Sequence, residues 1–259
     1  MRKEMTGDDR YGYIYNYLLK HGTAKPEVIA PLLGVSEVTI RRDFAILATR
    51  KLLKRVHGGA TLLLQKYQQT PIWWRIKQDV KKKRALAAHA VGLIKKGDSI
   101  FVDSGSTCYF LSEQLPRELG IKVITHSLES INIMKDIPGI TIYCPGGELI
   151  DEMGAFFGIL TENSLKSLFV DKAFIGCSGF TPQIGFLEGD MRDLKLKSIM
   201  NSQARNSYIL TTSDKFNISP LHCSIPINEV KEIITDDGVA PELVRLLEEK
   251  EIKVMRVPT

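Results

Sequence analysis

At Val35-Ser-Glu-Val-Thr-Ile-Arg-Arg-Asp-Phe44 the sequence predicts the start of a short amphipathic helix. Ser36 is a residue type that caps helix N-termini, so we place the helix after it and continue it through Thr49. A rotation of 100° per residue brings the apolar residues of this stretch to one side, where they face a core: Ile40, Phe44 and Leu47. The opposite side is left mainly to polar and basic residues.

The solvent-facing side of this helix carries residue types that bind DNA. Arginine binds guanine through two hydrogen bonds, threonine contacts base edges or a thymine methyl group, and helix-end amides bind phosphate. The DNA-binding candidates on this helix are Ser36, Val38, Thr39, Arg41 and Arg42. An ordinary hydrated charged face has the same composition, so this stretch alone favours neither interpretation.

Helical periodicity precedes this stretch and a β-wing pattern follows it. Residues 8–21 and 26–33 have the apolar spacing of helices, although the alternating tyrosines of the first segment also fit a strand. Residues 52–61 alternate and bend at Gly58-Gly59, as a small wing does. The basic residues of this wing are candidates for the phosphate backbone: Lys54, Arg55 and His57. This order of elements is a winged helix-turn-helix pattern.

Charge is distributed unevenly along the 259-residue chain, although the total is only +5. Residues 1–84 contain 18 lysines and arginines against 7 acidic residues, a net charge of +11. Residues 85–259 contain 17 against 23, a net charge of −6. A basic segment joined to an acidic body is typical of a polyanion-binding domain attached to a second domain. We therefore expect double-stranded DNA to meet the amino-terminal part.

Composition excludes several other classes of protein. Hydrophobic residues at 44% and charged residues at 25% are ordinary globular values. No apolar run approaches the roughly 20 residues that cross a bilayer, and no signal-peptide pattern opens the chain, so we expect a cytoplasmic protein without membrane contact. The four cysteines lack the spacing of a zinc site, and we expect reduced thiols, no metal and no cofactor.

Beyond the wing, the sequence predicts a linker and then an α/β body. The predicted domains are a winged helix-turn-helix domain at 8–62, a linker at 63–80 and an effector-sensing domain at 81–259. The last domain begins with four basic residues, 81–84, which we interpret as hydrated surface charge. Strand patterns occur at 99–102, 121–124, 140–143, 173–175, 208–210, 232–235 and 252–255. Helical patterns separate most of them, at 108–115, 128–136, 161–169, 190–204 and 241–250. Such alternation predicts a mostly parallel, doubly wound α/β sheet with helices on both faces.

Ligands of such folds bind outside the carboxyl ends of the strands. Small, hydroxyl-bearing and glycine residues collect at five successive strand ends, and residues 103–107, between a strand and a helix start, are the candidate anion cradle. The effector-binding candidates at and near these ends are Asp103, Ser104, Gly105, Ser106, Thr107, Thr125, His126, Gly146, Gly147, Gly176, Gly179, Lys197 and Lys215. Taken alone, Lys197 is typical of an exposed surface charge.

Two sets of motifs resemble the DeoR family of bacterial transcriptional regulators. In the amino-terminal part they are the stretch 35–44 and Arg55-Val-His-Gly-Gly-Ala60, which resemble the family signature in residue identity and in spacing. In the body they are 103–107, 123–127, 145–148, 171–176 with Gly179, and 235–236. The resemblance implies a sensing domain akin to pentose-phosphate isomerases, with a phosphorylated sugar or related metabolite as effector. It also adds Asp171 to the effector-binding candidates and implies repression.

We therefore predict a DNA-binding repressor of carbohydrate-metabolism genes that is released by a phosphorylated sugar or related metabolite. We expect a homodimer or homotetramer, since helix-turn-helix proteins usually bind paired half-sites. The alternative is a sugar-phosphate isomerase or deaminase-like enzyme with a basic appendage. Isomerisation needs a base such as a carboxylate beside the substrate, and isomerases of the related fold have clustered acids after the strand that ends here near Cys177. No acid occurs from Phe174 to Phe186, so we expect no catalysis.

Overall fold

The computed structural model describes residues 6–50, 52–62 and 71–259, and the chain divides into two compact units, Met1–Gln68 and Gln69–Thr259. The described part of the first unit contains three helices and a small sheet: α1 (Gly7–His21), β1 (Thr23–Ala24), α2 (Pro26–Leu33), α3 (Glu37–Thr49), β2 (Leu53–Val56) and β3 (Gly59–Leu62). Strand β3 lies between β1 and β2 and pairs antiparallel with both. The predicted winged helix-turn-helix architecture is confirmed, and the tyrosine-rich first segment is a helix rather than a strand.

Capping and apolar spacing explain the first unit. At the start of α1 the Thr6 hydroxyl accepts a hydrogen bond from the Asp9 amide, and the Asp9 carboxylate accepts one from the Thr6 amide. The apolar residues at helical spacing are buried together: Ile14, Leu18, Ile29, Ile40, Phe44 and Leu47. Gly59 begins β3 so close to β1 that a Cβ atom would collide with the carbonyl oxygen of Ala24. The glycine is therefore required where the wing packs against β1.

The second unit is built on strands that run in chain order as β4 (Ser99–Val102), β5 (Ile121–Ile124), β6 (Ile140–Tyr143), β7 (Glu148–Ile150), β8 (Ala155–Phe157), β9 (Val170–Gly176), β10 (Gly179–Thr181), β11 (Gly185–Glu188), β12 (Ala204–Leu210), β13 (His222–Pro226), β14 (Glu232–Asp236) and β15 (Lys253–Val257). Seven of them form one parallel sheet in the order β15-β14-β12-β9-β4-β5-β6. They correspond to the seven predicted strands.

Helices cover both faces of this sheet. They are α4 (Ile72–Arg75), α5 (Val80–Val91), α6 (Ser106–Gln114), α7 (Leu128–Met134), α8 (Ile159–Lys166), α9 (Met191–Ser202) and α10 (Pro241–Glu248). Successive strand residues enter two separate apolar clusters: Phe101 lies in one, with Leu196 of α9, and Val102 lies in the other, with Leu111 of α6. Because successive side chains of a strand point to opposite faces of the sheet, the two clusters show that both faces are buried. The doubly wound α/β fold is therefore confirmed.

Shorter strands were not predicted. Strands β7 and β8 form a hairpin, and β10, β11 and β13 form a small antiparallel sheet. They are three to five residues long, and most of them contain polar residues, so they lack the continuous apolar runs that revealed the equally short strands of the parallel sheet. Part of the predicted linker, residues 63–70, lies outside the described residues. Its part from 71 belongs to the second unit, where Ile72 and Trp74 are buried.

Candidate functional site

The exposed side of α3 presents the predicted DNA-binding residues together. The Ser36 hydroxyl accepts a hydrogen bond from the Thr39 amide and lies 2.9 Å from the Thr39 hydroxyl, which fixes the first turn of the helix. Val38 is 76% exposed, a large exposure for an apolar side chain. Arg41 and Arg42 are also exposed, and the Arg41 guanidinium lies 3.1 Å from the Glu37 carboxylate. This face therefore offers basic, hydroxyl and apolar groups to a partner.

Asp43 follows the two arginines but points to the inside of the first unit. Its carboxylate is 3% exposed and accepts two hydrogen bonds from the Arg10 guanidinium, at 2.7 Å from Nε and 3.1 Å from Nη2. This bidentate ion pair joins α1 to α3. The hydrogen bond to Asp43 also raises the pKa of Arg10. Sequence analysis missed this pair, although an acid three residues after Ile40 falls on the buried face.

The wing residues are exposed at the end of the hairpin formed by β2 and β3. Lys54, Arg55 and His57 all lie on the surface, and Gly58 adopts a φ of 76° in the turn. Thr61 anchors the returning strand, because its hydroxyl donates to the carbonyl oxygen of Gly22, 2.9 Å away. The wing thus presents three basic candidates on a hairpin that is tied to the helical part.

The second candidate site lies at the carboxyl ends of β4, β5 and β9. Residues 103–105 connect β4 to α6, which begins with Ser106 and Thr107, and all five residues are buried. Gly105 is the N-cap of α6, and a Cβ atom at this position would lie 3.3 Å from a carboxylate oxygen of Asp103. The first amides of α6 lack partners within the helix, as they do in every helix. The loop and helix start therefore form a candidate anion cradle.

Lys197 on α9 lies at the centre of a buried charge cluster. Its ammonium group is 2.6 Å from a carboxylate oxygen of Glu188, 3.5 Å from Asp103 and 4.0 Å from Asp193. The side chain is 4% exposed, so the interpretation of Lys197 as a surface charge is wrong. Burial lowers its pKa, but the three carboxylates outweigh burial and raise the pKa well above its usual value. Lys197 therefore stays charged inside the fold.

Asp103 and His126 face each other beside this lysine. Asp103 Oδ2 accepts a hydrogen bond from the Gly176 amide at 2.9 Å, whereas Asp103 Oδ1 is buried without a partner, 4.0 Å from His126 Nε2. Burial raises the pKa of Asp103, but Lys197, His126 and the backbone amides outweigh it and lower the pKa. Burial lowers the pKa of His126, which is fully buried with neither ring nitrogen hydrogen-bonded. The pair is thus an ionised carboxylate and a neutral imidazole.

Glu188, at the end of β11, completes the cluster. Its carboxylate accepts hydrogen bonds from the Ser178 hydroxyl at 2.5 Å and the Ser178 amide at 3.2 Å, in addition to the one from Lys197. Burial raises the pKa of Glu188 to about 7, despite the opposing effect of Lys197. Residues 174–186 contain no acid, as the sequence shows, but three carboxylates from other segments, those of Asp103, Glu188 and Asp193, meet at Lys197.

The other predicted effector residues differ in burial and in the partners they contact. Thr125 is buried, and its hydroxyl accepts a hydrogen bond from the Ser127 amide. The Gly146 carbonyl oxygen accepts one from Thr161, and a Cβ atom on Gly147 would collide with the same threonine hydroxyl. Gly179 begins β10, where a Cβ atom would collide with the Ile218 carbonyl oxygen. Lys215, partly exposed, lies 3.6 Å from Asp214.

Asp171 does not join this site. It is the second residue of β9, and its carboxylate accepts hydrogen bonds from the amide and hydroxyl of Ser99, the first residue of β4. Asp171 therefore lies at the amino end of the sheet, opposite the carboxyl ends. We correct the sequence-based candidate: Asp171 joins two neighbouring strands at the amino end of the sheet and does not belong to the strand-end site.

The basic run at the start of α5 is also more than hydrated surface charge. Lys82 forms a 2.8 Å ion pair with the fully buried Asp236. Lys83 is buried and donates to the carbonyl oxygens of Arg75 and Gln78. Both lysines therefore hold α5 in place within the second unit.

Comparison with known protein families matches both units. The DeoR-like helix-turn-helix domain family matches residues 10–66, and the DeoR C terminal sensor domain family matches residues 78–237. The second match alone covers more than half of the chain. The chain belongs to the DeoR family. It is therefore a DNA-binding transcriptional regulator.

Relatives and one solved structure illustrate the similarity. The chain is 30% identical over 230 residues to the uncharacterized HTH-type transcriptional regulator YulB of Bacillus subtilis, covering 89% of each chain. It is 26% identical over 258 residues to a putative aga operon transcriptional repressor of Escherichia coli O157:H7, covering 98% of this chain and 96% of that one. A ribose 5-phosphate isomerase A of Methanocaldococcus jannaschii has 19% identity and a TM-score of 0.38, over 54% of this chain and 55% of its own.

In this DeoR-family protein, the strand-end site combines two kinds of chemistry. The start of α6 offers backbone amides to an anion. Beside it, Asp103 and His126 offer hydrogen-bond acceptors to a polar, uncharged part of a ligand. Glu188 and Asp193 were missed by sequence analysis, although Asp193 lies one helical turn before Lys197 and could have been found by that spacing.

Proposed function

We propose that this protein is a cytoplasmic repressor of carbohydrate-metabolism genes that binds double-stranded operator DNA and is released by a phosphorylated sugar. The observation that carries the DNA-binding part is the exposed face of α3, where Val38, Arg41 and Arg42 stand outside the packed unit. The name of the aga operon relative supports repression, and that of a lactose phosphotransferase system repressor of Staphylococcus epidermidis, 28% identical to this chain, supports a role in carbohydrate metabolism. Within the described residues, none of the helices is both long and apolar enough to cross a membrane.

The effector assignment is supported by two adjacent groups of residues at the strand ends of the second unit, the start of α6 and the pair Asp103 and His126. A phosphate group suits the amides at residues 104–107, where a helix N-terminus favours negative charge. Hydroxyl groups of a sugar suit Asp103 and His126, whose buried acceptor atoms gain hydrogen bonds when a donor arrives. Each part by itself is common in proteins, and their adjacency favours a ligand that is both anionic and hydroxylated.

Release of DNA follows from linkage between the two units. We propose that the protein forms a homodimer or homotetramer, in which two copies of α3 reach half-sites about 34 Å apart along one face of the DNA. A sugar phosphate that prefers an arrangement with the wrong spacing lowers the affinity for the operator. By the same factor, operator DNA lowers the affinity for the sugar phosphate.

The DNA-binding proposal is tested by selecting bound sequences from a random duplex pool and measuring affinities of variants. Arg42→Ala is expected to lose about 1–3 kcal/mol of discrimination at one base pair, whereas Lys54→Ala weakens binding to all sequences and reduces the salt slope by about 1. Lys96→Ala, an exposed lysine of the second unit, serves as control and leaves affinity unchanged. Equal affinity of Arg42→Ala and the wild type for every sequence would contradict the assignment.

The effector proposal is tested with a panel of sugar phosphates on the full chain. A ligand at about 100 times its dissociation constant stabilises the folded protein by roughly 2.7 kcal/mol, which raises the melting temperature. The same compound should release the selected DNA. If no compound does either, while DNA binding persists, the sugar-phosphate assignment fails and the DNA-binding one stands.

One observation favours a second candidate, the isomerase. Glu188 has a pKa raised to about 7 by burial and lies beside Lys197, an arrangement that suits proton transfer near neutral pH. We still propose a non-enzymatic role, because both oxygens of Glu188 are engaged by Ser178 and Lys197. Purified protein is expected not to convert ribose 5-phosphate to its ketose. Turnover that Glu188→Gln abolishes would establish the enzyme instead.

A further inference from the structure

Three side chains from separate elements bring metal-ligand atoms together in the second unit. Asp103 follows β4, His126 follows β5, and Asp193 lies on α9. One ligand atom from each lies within 4.8 Å of the other two, and all three residues are buried. Because 23 residues separate the first two and 67 separate the last two, no sequence spacing could reveal this set.

The strongest sign of a missing partner is the state of His126 and Asp103. Both ring nitrogens of His126 and one carboxylate oxygen of Asp103 are buried without a hydrogen-bond partner among the described residues. His126 is 0% exposed, and its Nε2 atom lies 4.0 Å from that same Asp103 oxygen. Buried polar groups in folded proteins are nearly always satisfied. These buried atoms are therefore available to a ligand that enters between the two side chains.

Lys197 does not block a cation from this space. Its ammonium group lies nearest to Glu188, at 2.6 Å, and approaches the other oxygen of Asp103, Oδ2, at 3.5 Å. The free oxygen, Oδ1, is the one that faces His126. The lysine and the imidazole thus use different oxygens of one carboxylate, and a single ammonium group is shared among three carboxylates.

The donor set selects the kind of cation. An imidazole nitrogen is a ligand for first-row transition ions such as Zn²⁺, whereas Mg²⁺ and Ca²⁺ prefer oxygen ligands throughout. Two carboxylates beside one imidazole match Zn²⁺ or Mn²⁺, and three protein ligands leave a coordination position open for an oxygen ligand. We propose that Asp103, His126 and Asp193 bind one first-row divalent metal ion. This proposal rests on the proposed site: with the ion bound, a hydroxyl group of the sugar would meet the open coordination position instead of Asp103 and His126 directly, while the anion cradle at residues 103–107 stays as proposed.

The test titrates metal into the full chain after removal of bound ions with a chelator. Calorimetry with Zn²⁺, and absorption with Co²⁺ as a spectroscopic substitute, should both give one ion per chain. The cobalt spectrum should lack a thiolate charge-transfer band, because none of the three ligands is a cysteine. Binding with a thiolate band, or no binding by the wild type, would overturn the proposal.

Variants assign the ion to this cluster. His126→Gln keeps the size of the side chain but loses the imidazole, and its affinity should fall by at least about tenfold, since even indirect changes at metal sites cost that much. His89→Gln makes the same change at an exposed histidine of the second unit and should bind as the wild type does. Equal affinity of the two variants would refute the site.

Circular dichroism and the melting temperature without metal check that each variant is folded. Should His126→Gln prove unfolded, Asp103→Asn supplies the second variant, because the amide retains one oxygen for the Gly176 amide. It too should lose metal affinity. A sugar-phosphate thermal shift that persists in chelator while metal binding is absent would remove the metal and leave the effector proposal intact.

Discussion

Replacing Lys197 by methionine tests whether the buried charge cluster stabilises the second unit. Methionine fills a similar volume but removes an ammonium group that lies within 4.0 Å of three carboxylates. Because the lysine side chain is only 4% exposed, water does not replace it. Breaking a buried ion pair by removing one partner costs about 3–5 kcal/mol, since the remaining charge is left uncompensated. We expect Lys197→Met to lower the free energy of unfolding by this amount.

Urea denaturation followed by tryptophan fluorescence measures the effect in the right unit. Both tryptophans of the chain, Trp73 and Trp74, belong to the second unit. With a slope of about 2–3 kcal/mol per molar urea, the midpoint should fall by about 1–2.5 M. Glu188→Gln combined with Lys197→Met should cost less than the sum of the two single changes, because the groups interact directly.

Lys195 provides the matched control on the same helix. Its side chain is 55% exposed and lies 3.7 Å from Glu162, so Lys195→Met should cost only about 0–1 kcal/mol. Similar midpoint shifts for the two lysine variants would refute the reasoning, because burial and charge pairing would then not be the cause. Strict additivity in the double variant would refute it as well.

Two further predictions concern other ion pairs. Asp43→Ala should destabilise the first unit by about 1.5–3 kcal/mol, because it removes two hydrogen bonds of the Arg10 guanidinium. Hydrogen exchange of the α1 amides should then become roughly 10- to 150-fold faster. Glu37→Ala, which removes an exposed ion pair, is the control and should leave the exchange rates unchanged. Burial raises the pKa of Glu188 to about 7 from 4.5, so between these values the folded chain binds a proton that the unfolded chain lacks, and stability falls as the pH rises. Glu188→Gln should flatten this fall in urea midpoints between pH 4.5 and 7; an unchanged slope would assign it to other groups.

Local patterns predicted most of the architecture, because helices and buried strands impose their period on neighbouring residues. Ile40, Phe44 and Leu47 lie one helical turn apart, and the structure buries all three on one side of α3. The seven strands of the parallel sheet are short apolar runs that the sequence shows directly. The short antiparallel strands, such as β10 and β11, carry no comparable period and became visible only in the fold.

The sequence by itself determined the α/β class and picked out the candidate DNA-binding face and the strand ends proposed to bind a ligand, since each depends on residues close together in the chain. Only the tertiary structure decided how these ends combine. It brought Asp103, Glu188 and Asp193 around Lys197, although 94 residues separate Asp103 from the lysine, and it moved Asp171 to the opposite end of the sheet. The reason is physical: burial and charge pairing depend on distance through space, which strand order sets and sequence separation does not.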